Sequence, residues 1–160
     1  NTFDFLFQRY LVSAYSKEKW PYVINELVRV LKPGRFLELC EFSHLFDTGP
    51  ANQRLWSTVA KVLEGRGVDL NTCQKLEEYV QNQENVKNEV KQCYHGLKSN
   101  DIELNKVAIS NTTSVYASLK QPLTKTLNIS DDEFDELVKV SKDELFKFDT
   151  YYNVVRVYAR

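Results

Sequence analysis

The chain has 160 residues, 42% of them apolar and 27% charged, and its 21 basic and 22 acidic side chains leave a formal net charge of −1. That balance fits one soluble globular domain, and a pI of about 6.2 gives no basic footprint for nucleic acid. No apolar run reaches the roughly 18 residues of a membrane helix, so neither nucleic acid nor membrane is an expected partner.

Two smaller counts add to this. No Met occurs anywhere, including position 1, and the chain steps almost directly from Asn1 into an aromatic stretch. The expectation is of a chain that starts inside a longer domain. Cys40, Cys73 and Cys93 are odd in number and form no Cys-x-x-Cys pair. Neither a disulfide framework nor a zinc site follows, and reduced thiols in a cytoplasmic protein are expected.

Residues 3–7, Phe-Asp-Phe-Leu-Phe, read as a short strand. Apolar residues then fall at Trp20, Val23, Ile24, Leu27, Val30 and Leu31, the spacing of one helix face. Pro21 suits the first turn, where a missing N–H is harmless, and Pro33-Gly34 marks the stop. Residues 36–42 follow as a second strand. Strand, helix, turn and strand in this order form a crossover unit with parallel strands. Ligands of open α/β sheets bind beyond the carboxyl ends of the strands, here near Gln8 and Arg9 and between Glu41 and His44.

Thr48-Gly49-Pro50 opens a helix carrying Leu55, Val59, Val62 and Leu63, which Gly65 and Gly67 end. A shorter helix is expected over residues 72–81, while residues 85–93 suit either a helix or a weakly written strand. Leu104, Val107, Ala108, Val115 and Leu119 mark a long amphipathic helix that ends before Pro122. Ser130 and Glu133 form a capping box for a helix whose buried stripe is Phe134, Leu137, Val138, Leu145 and Phe148. Residues 152–158 make a final β-branched and aromatic strand.

Phe3-Asp4-Phe5-Leu6-Phe7-Gln8-Arg9, the Trp20-Pro21 helix ending in Arg29-Val30-Leu31-Lys32-Pro33-Gly34, and the strand after it resemble the second half of class I S-adenosylmethionine-dependent methyltransferases, in particular the group abundant in fungi. The likeness is specific over the first quarter of the chain and weaker to its end, where Asn128-Ile129-Ser130-Asp131-Asp132-Glu133-Phe134 is similar. Arg35 stands where the family usually has a second Gly. That turn position often needs φ > 0, so Arg35 is expected to cost a little stability. The family's Gly-rich loop after its first strand has no counterpart here, because Gly65 and Gly67 follow a helix.

The resemblance implies an α/β fold: a partial Rossmann-like sheet equivalent to strands 4, 5, 6 and 7 of the order 3-2-1-4-5-7-6, with flanking helices and a helical insertion. Residues 1–160 would form the C-terminal part of one methyltransferase domain, without the N-terminal half that grips the cofactor. The first strand would be an exposed edge. The implied activity is methyl transfer from S-adenosylmethionine to a small molecule, with the isolated chain inactive. From a different class, a non-catalytic half-domain would pair through residues 3–7 with a complementary chain or a second copy.

Methyl transfer is an in-line displacement that needs positioning more than a protein nucleophile, so no catalytic residue is assigned. The resemblance implies that Phe7, Gln8 and Arg9 lie beside the methionine part of the cofactor; Phe7 as core and Arg9 as a solvated charge is the plainer reading. His44, at the expected mouth, suits proton transfer from a substrate hydroxyl or amine, although a lone loop histidine is usually a surface residue. Arg54 and Trp56 would line a substrate pocket, yet Trp at helical spacing is usually core. Glu41 would orient a substrate group or, more plainly, cap nearby N–H groups. The acidic residues 131–136 read as helix capping rather than metal ligands, and His95 has no recognisable partner.

Overall fold

The computed structural model describes residues 2–81, 83–94 and 101–160, with only the backbone of Tyr94. Two compact units share the chain: one of Asn1–His44, Leu63–Lys91 and Asn153–Arg160, the other of Leu45–Val62 and Gln92–Tyr152.

The first unit is built on a four-stranded sheet of β1 (Phe3–Arg9), β2 (Leu31–Phe46), β3 (Lys87–Tyr94) and β4 (Tyr151–Ala159), in the order β1-β2-β4-β3. That is the order 4-5-7-6 implied by the resemblance. β1 and β2 are parallel, with Phe5 opposite Phe36, Gln8 opposite Leu39 and Arg9 opposite Cys40. The pairs Gly34 with Arg160, Glu38 with Arg156 and Ser43 with Asn153 step in opposite directions along β2 and β4. β4 therefore runs antiparallel to β2. The stretch around residues 85–93 resolves as a strand whose only β-branched residue, Val90, is 62% exposed, which is why its apolar pattern is faint.

α1 (Trp20–Val30) carries the chain from β1 to β2, with Pro21 in its first turn and Trp20 and Ile24 buried. Trp20 meets Tyr15 edge to face at 5.5 Å and stacks on Tyr79 at 6.3 Å. Tyr79 closes a 3-10 turn (Leu70–Lys75) that leads into a single helical turn, Leu76–Tyr79. Past α1 the positive φ falls on Gly34, at 70°, and not on Arg35. The expected cost at Arg35 is thus absent; its Nε instead reaches Asp4 at 3.1 Å.

Successive strand residues point to opposite faces. Leu37, Leu39, Glu41 and Ser43 of β2 are buried, as is Gln8 of β1. Phe3, Phe5 and Phe7 share the other face and are 49%, 55% and 47% exposed, and Phe36, opposite Phe5, is 53% exposed.

In the second unit lie most of α2 (Pro50–Glu64) and, after the single turn Leu76–Tyr79 counted as α3, the helices α4 (Ile102–Ser118), α5 (Lys120–Leu127) and α6 (Asp131–Lys147). Its centre is Asn52, fully buried. The Asn52 Nδ2 donates to Ser141 O at 2.6 Å, the Tyr116 hydroxyl donates to Asn52 Oδ1 at 3.1 Å, and the backbone N–H groups of Ala51 and Asn52 donate to the Glu144 carboxylate. Glu144 thereby satisfies the first turn of α2; a Cβ at Gly49 would collide with it.

The Ser130 and Glu133 capping box forms as expected. Two expected stripes differ. α4 buries Ile109, Thr112 and Tyr116, while Leu104, Val107 and Val115 face solvent, because Tyr116 turns the helix toward Asn52. On α6, Phe134, Ser141 and Leu145 are buried, and Phe148 is 42% exposed because the chain has already left the helix there. Pro122 follows the end of α4 but sits in the first turn of α5, where its missing N–H costs nothing.

Candidate functional site

The carboxyl ends of β1 and β2 gather the polar groups of the first unit. β1 is followed directly by Tyr10, whose φ of 57° is rare for a bulky residue. Tyr10 N donates to Cys40 O at 2.9 Å, and its ring meets Phe42 edge to face at 5.9 Å. These contacts hold a strained backbone where the chain leaves the sheet, a placement typical of functional loops.

Glu41 sits under that loop with no solvent exposure. Its Oε2 accepts from Val12 N at 2.8 Å, so the capping role expected of this carboxylate is met. Glu41 Oε1 and Gln8 Nε2, on the same sheet face, have no hydrogen-bond partner among the described residues. Gln8 lies near enough to favour the charged carboxylate without completing that bond, and burial outweighs it: the Glu41 pKa is pushed up to about 7, against the opposing N–H groups of Val12 and Leu11. Cys73 is fully buried, and burial first, then the Glu41 charge, pushes its thiol up to about 11. Such a thiol is inert at neutral pH. None of Cys40, Cys73 and Cys93 is in a disulfide.

Two of the expected cofactor contacts share a face and one does not. Phe7 and Arg9 point to the exposed face; Arg9 lies over the Tyr10 ring at 5.7 Å. Gln8 is turned inward, 7% exposed. His44, near the carboxyl end of β2, is half-buried, which lowers its imidazole pKa against the pull of Asp69. Ser43, beside it, donates its hydroxyl to His44 O at 3.2 Å and accepts from Asn153 N at 3.0 Å. The first unit thus brings Phe7, Gln8, Arg9 and His44 to one end of two adjacent strands. Arg54 and Trp56 belong to the second unit. Arg54 is exposed and Trp56 is 9% exposed, with its Nε1 unpartnered among the described residues, so Trp56 has the buried character of a core residue.

The buried polar row of Gln8, Glu41 and Ser43, joined by the half-buried Asn153, does not show as a unit in the sequence. Its signal is the break in alternation along β2, where Leu37 and Leu39 give way to Glu41 and Ser43 on the same face. Among the described residues, no three His, Cys, Asp or Glu side chains converge as a metal site, and no helix is long and apolar enough to cross a membrane. His95 lies outside the described residues.

No protein-family model and no curated protein matches the chain. Solved structures do. A Haemonchus contortus phosphoethanolamine N-methyltransferase 2, in complex with phosphomonomethylethanolamine and S-adenosylhomocysteine, aligns over 99% of this chain with a TM-score of 0.51 and 15% identity. A second structure of that enzyme, with S-adenosyl-L-methionine, aligns with a TM-score of 0.48 and 16% identity. The chain spans 33% of the length of each. Together with the strand order, the first alignment identifies the fold as a partial Rossmann-like methyltransferase fold.

Proposed function

We propose that the chain is the C-terminal part of a class I methyltransferase domain, of the group abundant in fungi, whose complete form transfers a methyl group from S-adenosylmethionine to a small molecule. The observation that carries this is the sheet order β1-β2-β4-β3 with a parallel first pair and a polar cluster at its carboxyl ends. The fold likeness, to a chain three times as long, supports it.

The residues fit the cofactor in part. Arg9, exposed at the end of β1, suits the carboxylate of its methionine portion, and Phe7 offers an exposed ring beside it. Gln8 points away, into the row with Glu41, so it would contribute through its backbone. Bound S-adenosylmethionine supplies an electrophilic methyl on a sulfonium. This chain's own part is to position: Glu41 fixes the loop after β1 through Val12, and His44, whose neutral form burial favours, suits acceptance of a proton from an acceptor amine or hydroxyl. Arg54 and Trp56 remain substrate-side candidates.

The Gly-rich adenosine grip is missing from these 160 residues, so the chain alone should bind the cofactor weakly or not at all. Calorimetric titration with S-adenosylhomocysteine tests this; micromolar affinity of the chain alone contradicts it.

A second reading, a non-catalytic half-domain, is favoured by the exposed ring row Phe3, Phe5, Phe7 and Phe36 on and beside β1, which is an edge strand among the described residues. Edge-to-edge pairing with a second copy or a complementary chain would cover it. Sedimentation discriminates: a monomer at all accessible concentrations argues against self-pairing.

A further inference from the structure

A cleft of about 240 Å³ opens in the first unit between Ser43, Gln74, Asn88, Val90, Asn153 and Val155. Its floor is buried: Ser43 is 1% and Val155 3% exposed. Its hydrogen-bonding groups are already oriented. The Ser43 hydroxyl is committed as donor to His44 O and as acceptor to Asn153 N. Asn153 Oδ1, buried, has no partner among the described residues. Asn88 Nδ2 donates to Glu77 Oε2 at 2.9 Å, which leaves the Asn88 amide oxygen as its acceptor at the rim.

The cleft therefore offers the amide oxygens of Asn153 and Asn88 as acceptors, beside the amide N–H groups of Gln74, Asn88 and Asn153, and no cationic side chain lines it. A buried acceptor left unpaired is costly, and a ligand that donates to it recovers that cost. Glu77, behind Asn88, adds negative potential. A ligand with a carboxylate or phosphate here would find amide N–H groups but no cation, and would face the Glu77 carboxylate behind Asn88. The volume is below that of an ordinary drug-sized site, which limits the occupant to a few heavy atoms.

We propose that this cleft binds the ammonium group of a small primary amine through Asn153 Oδ1 and the Asn88 amide oxygen. The inference stands apart from methyl transfer, since binding is read without any methyl donor. Propylammonium, 1-propanol and propionate, matched in size, are titrated separately into the ¹⁵N-labelled 160-residue chain. The expected result is saturable amide shifts at Ser43, Asn88 and Asn153 with propylammonium, about tenfold weaker binding of 1-propanol, and no site-specific response to propionate. Asn153→Leu should abolish the response. Asn88→Ala, at an exposed rim position, should weaken it about tenfold and serves as the test if Asn153→Leu fails to fold. No response to the amine, an equal response to propionate, or shifts unchanged in Asn88→Ala would each overturn the proposal.

Discussion

Glu41 makes the stability of this chain depend on pH in an unusual direction. Its carboxyl has an ordinary value of 4.5 and is held at about 7 by burial. Between those values the unfolded chain has released the proton and the folded chain still holds it, so stability falls as pH rises. The favourable contribution is complete below about pH 4.5 and is lost as pH passes through about 7. At 1.36 kcal/mol per pKa unit the full loss is about 3 kcal/mol. Glu41→Gln keeps an acceptor for Val12 N and removes the titration. Any constant cost of the amide is the same at every pH, so the readout is the difference between the two chains. Urea unfolding of both across this range should show the variant gaining about 3 kcal/mol relative to the parent from the acid to the neutral end. Parallel stability profiles would refute the buried placement of this carboxylate.

Burial lowers the His44 pKa below 6.5, so its ring proton resonances should titrate with a midpoint under that value; a midpoint above it would place the ring in a different environment. Because the unfolded chain then takes up the proton first, His44 should also lower stability as pH falls through that range. Asn52→Ala removes the shared partner of Tyr116 and Ser141 and should cost about 3 kcal/mol in chemical denaturation, with less than about 1 kcal/mol arguing against the buried junction. Gly34→Ala meets no atom within 4 Å, so its φ of 70° alone should cost about 1 kcal/mol in thermal melts. Phe5→Lys, on an exposed face, should change the stability of the monomer by less than about 0.5 kcal/mol in the same assay.

What was legible in the sequence were features set by neighbouring residues. Pro21 and Pro33-Gly34 bracket α1, Ser130 and Glu133 start α6, and the family motif order gave the strand order without any long-range contact. Features set by distant residues were not legible. Leu104 and Val107 have helical spacing, but the buried face of α4 is chosen by Tyr116, whose partner Asn52 is 64 residues away. The carboxyl-end cluster was legible in position through Gln8, Arg9, Glu41 and His44. Its inward half was not, because the partners that bury Glu41 and Ser43 come from Val12 and Asn153, which no spacing connects to them. Arg35 misled for a local reason: the left-handed turn falls one residue earlier, on Gly34.

The proposal that the chain is part of a methyltransferase domain is tested most directly by cofactor binding. Equilibrium dialysis of radiolabelled S-adenosylmethionine against the 160-residue chain, and against the chain extended by any residues its coding sequence places before Asn1, measures this. Micromolar binding by the extended chain, at least about tenfold weaker in the 160-residue chain, is the predicted result. An extended chain that does not bind, or a 160-residue chain that binds equally well, would contradict it.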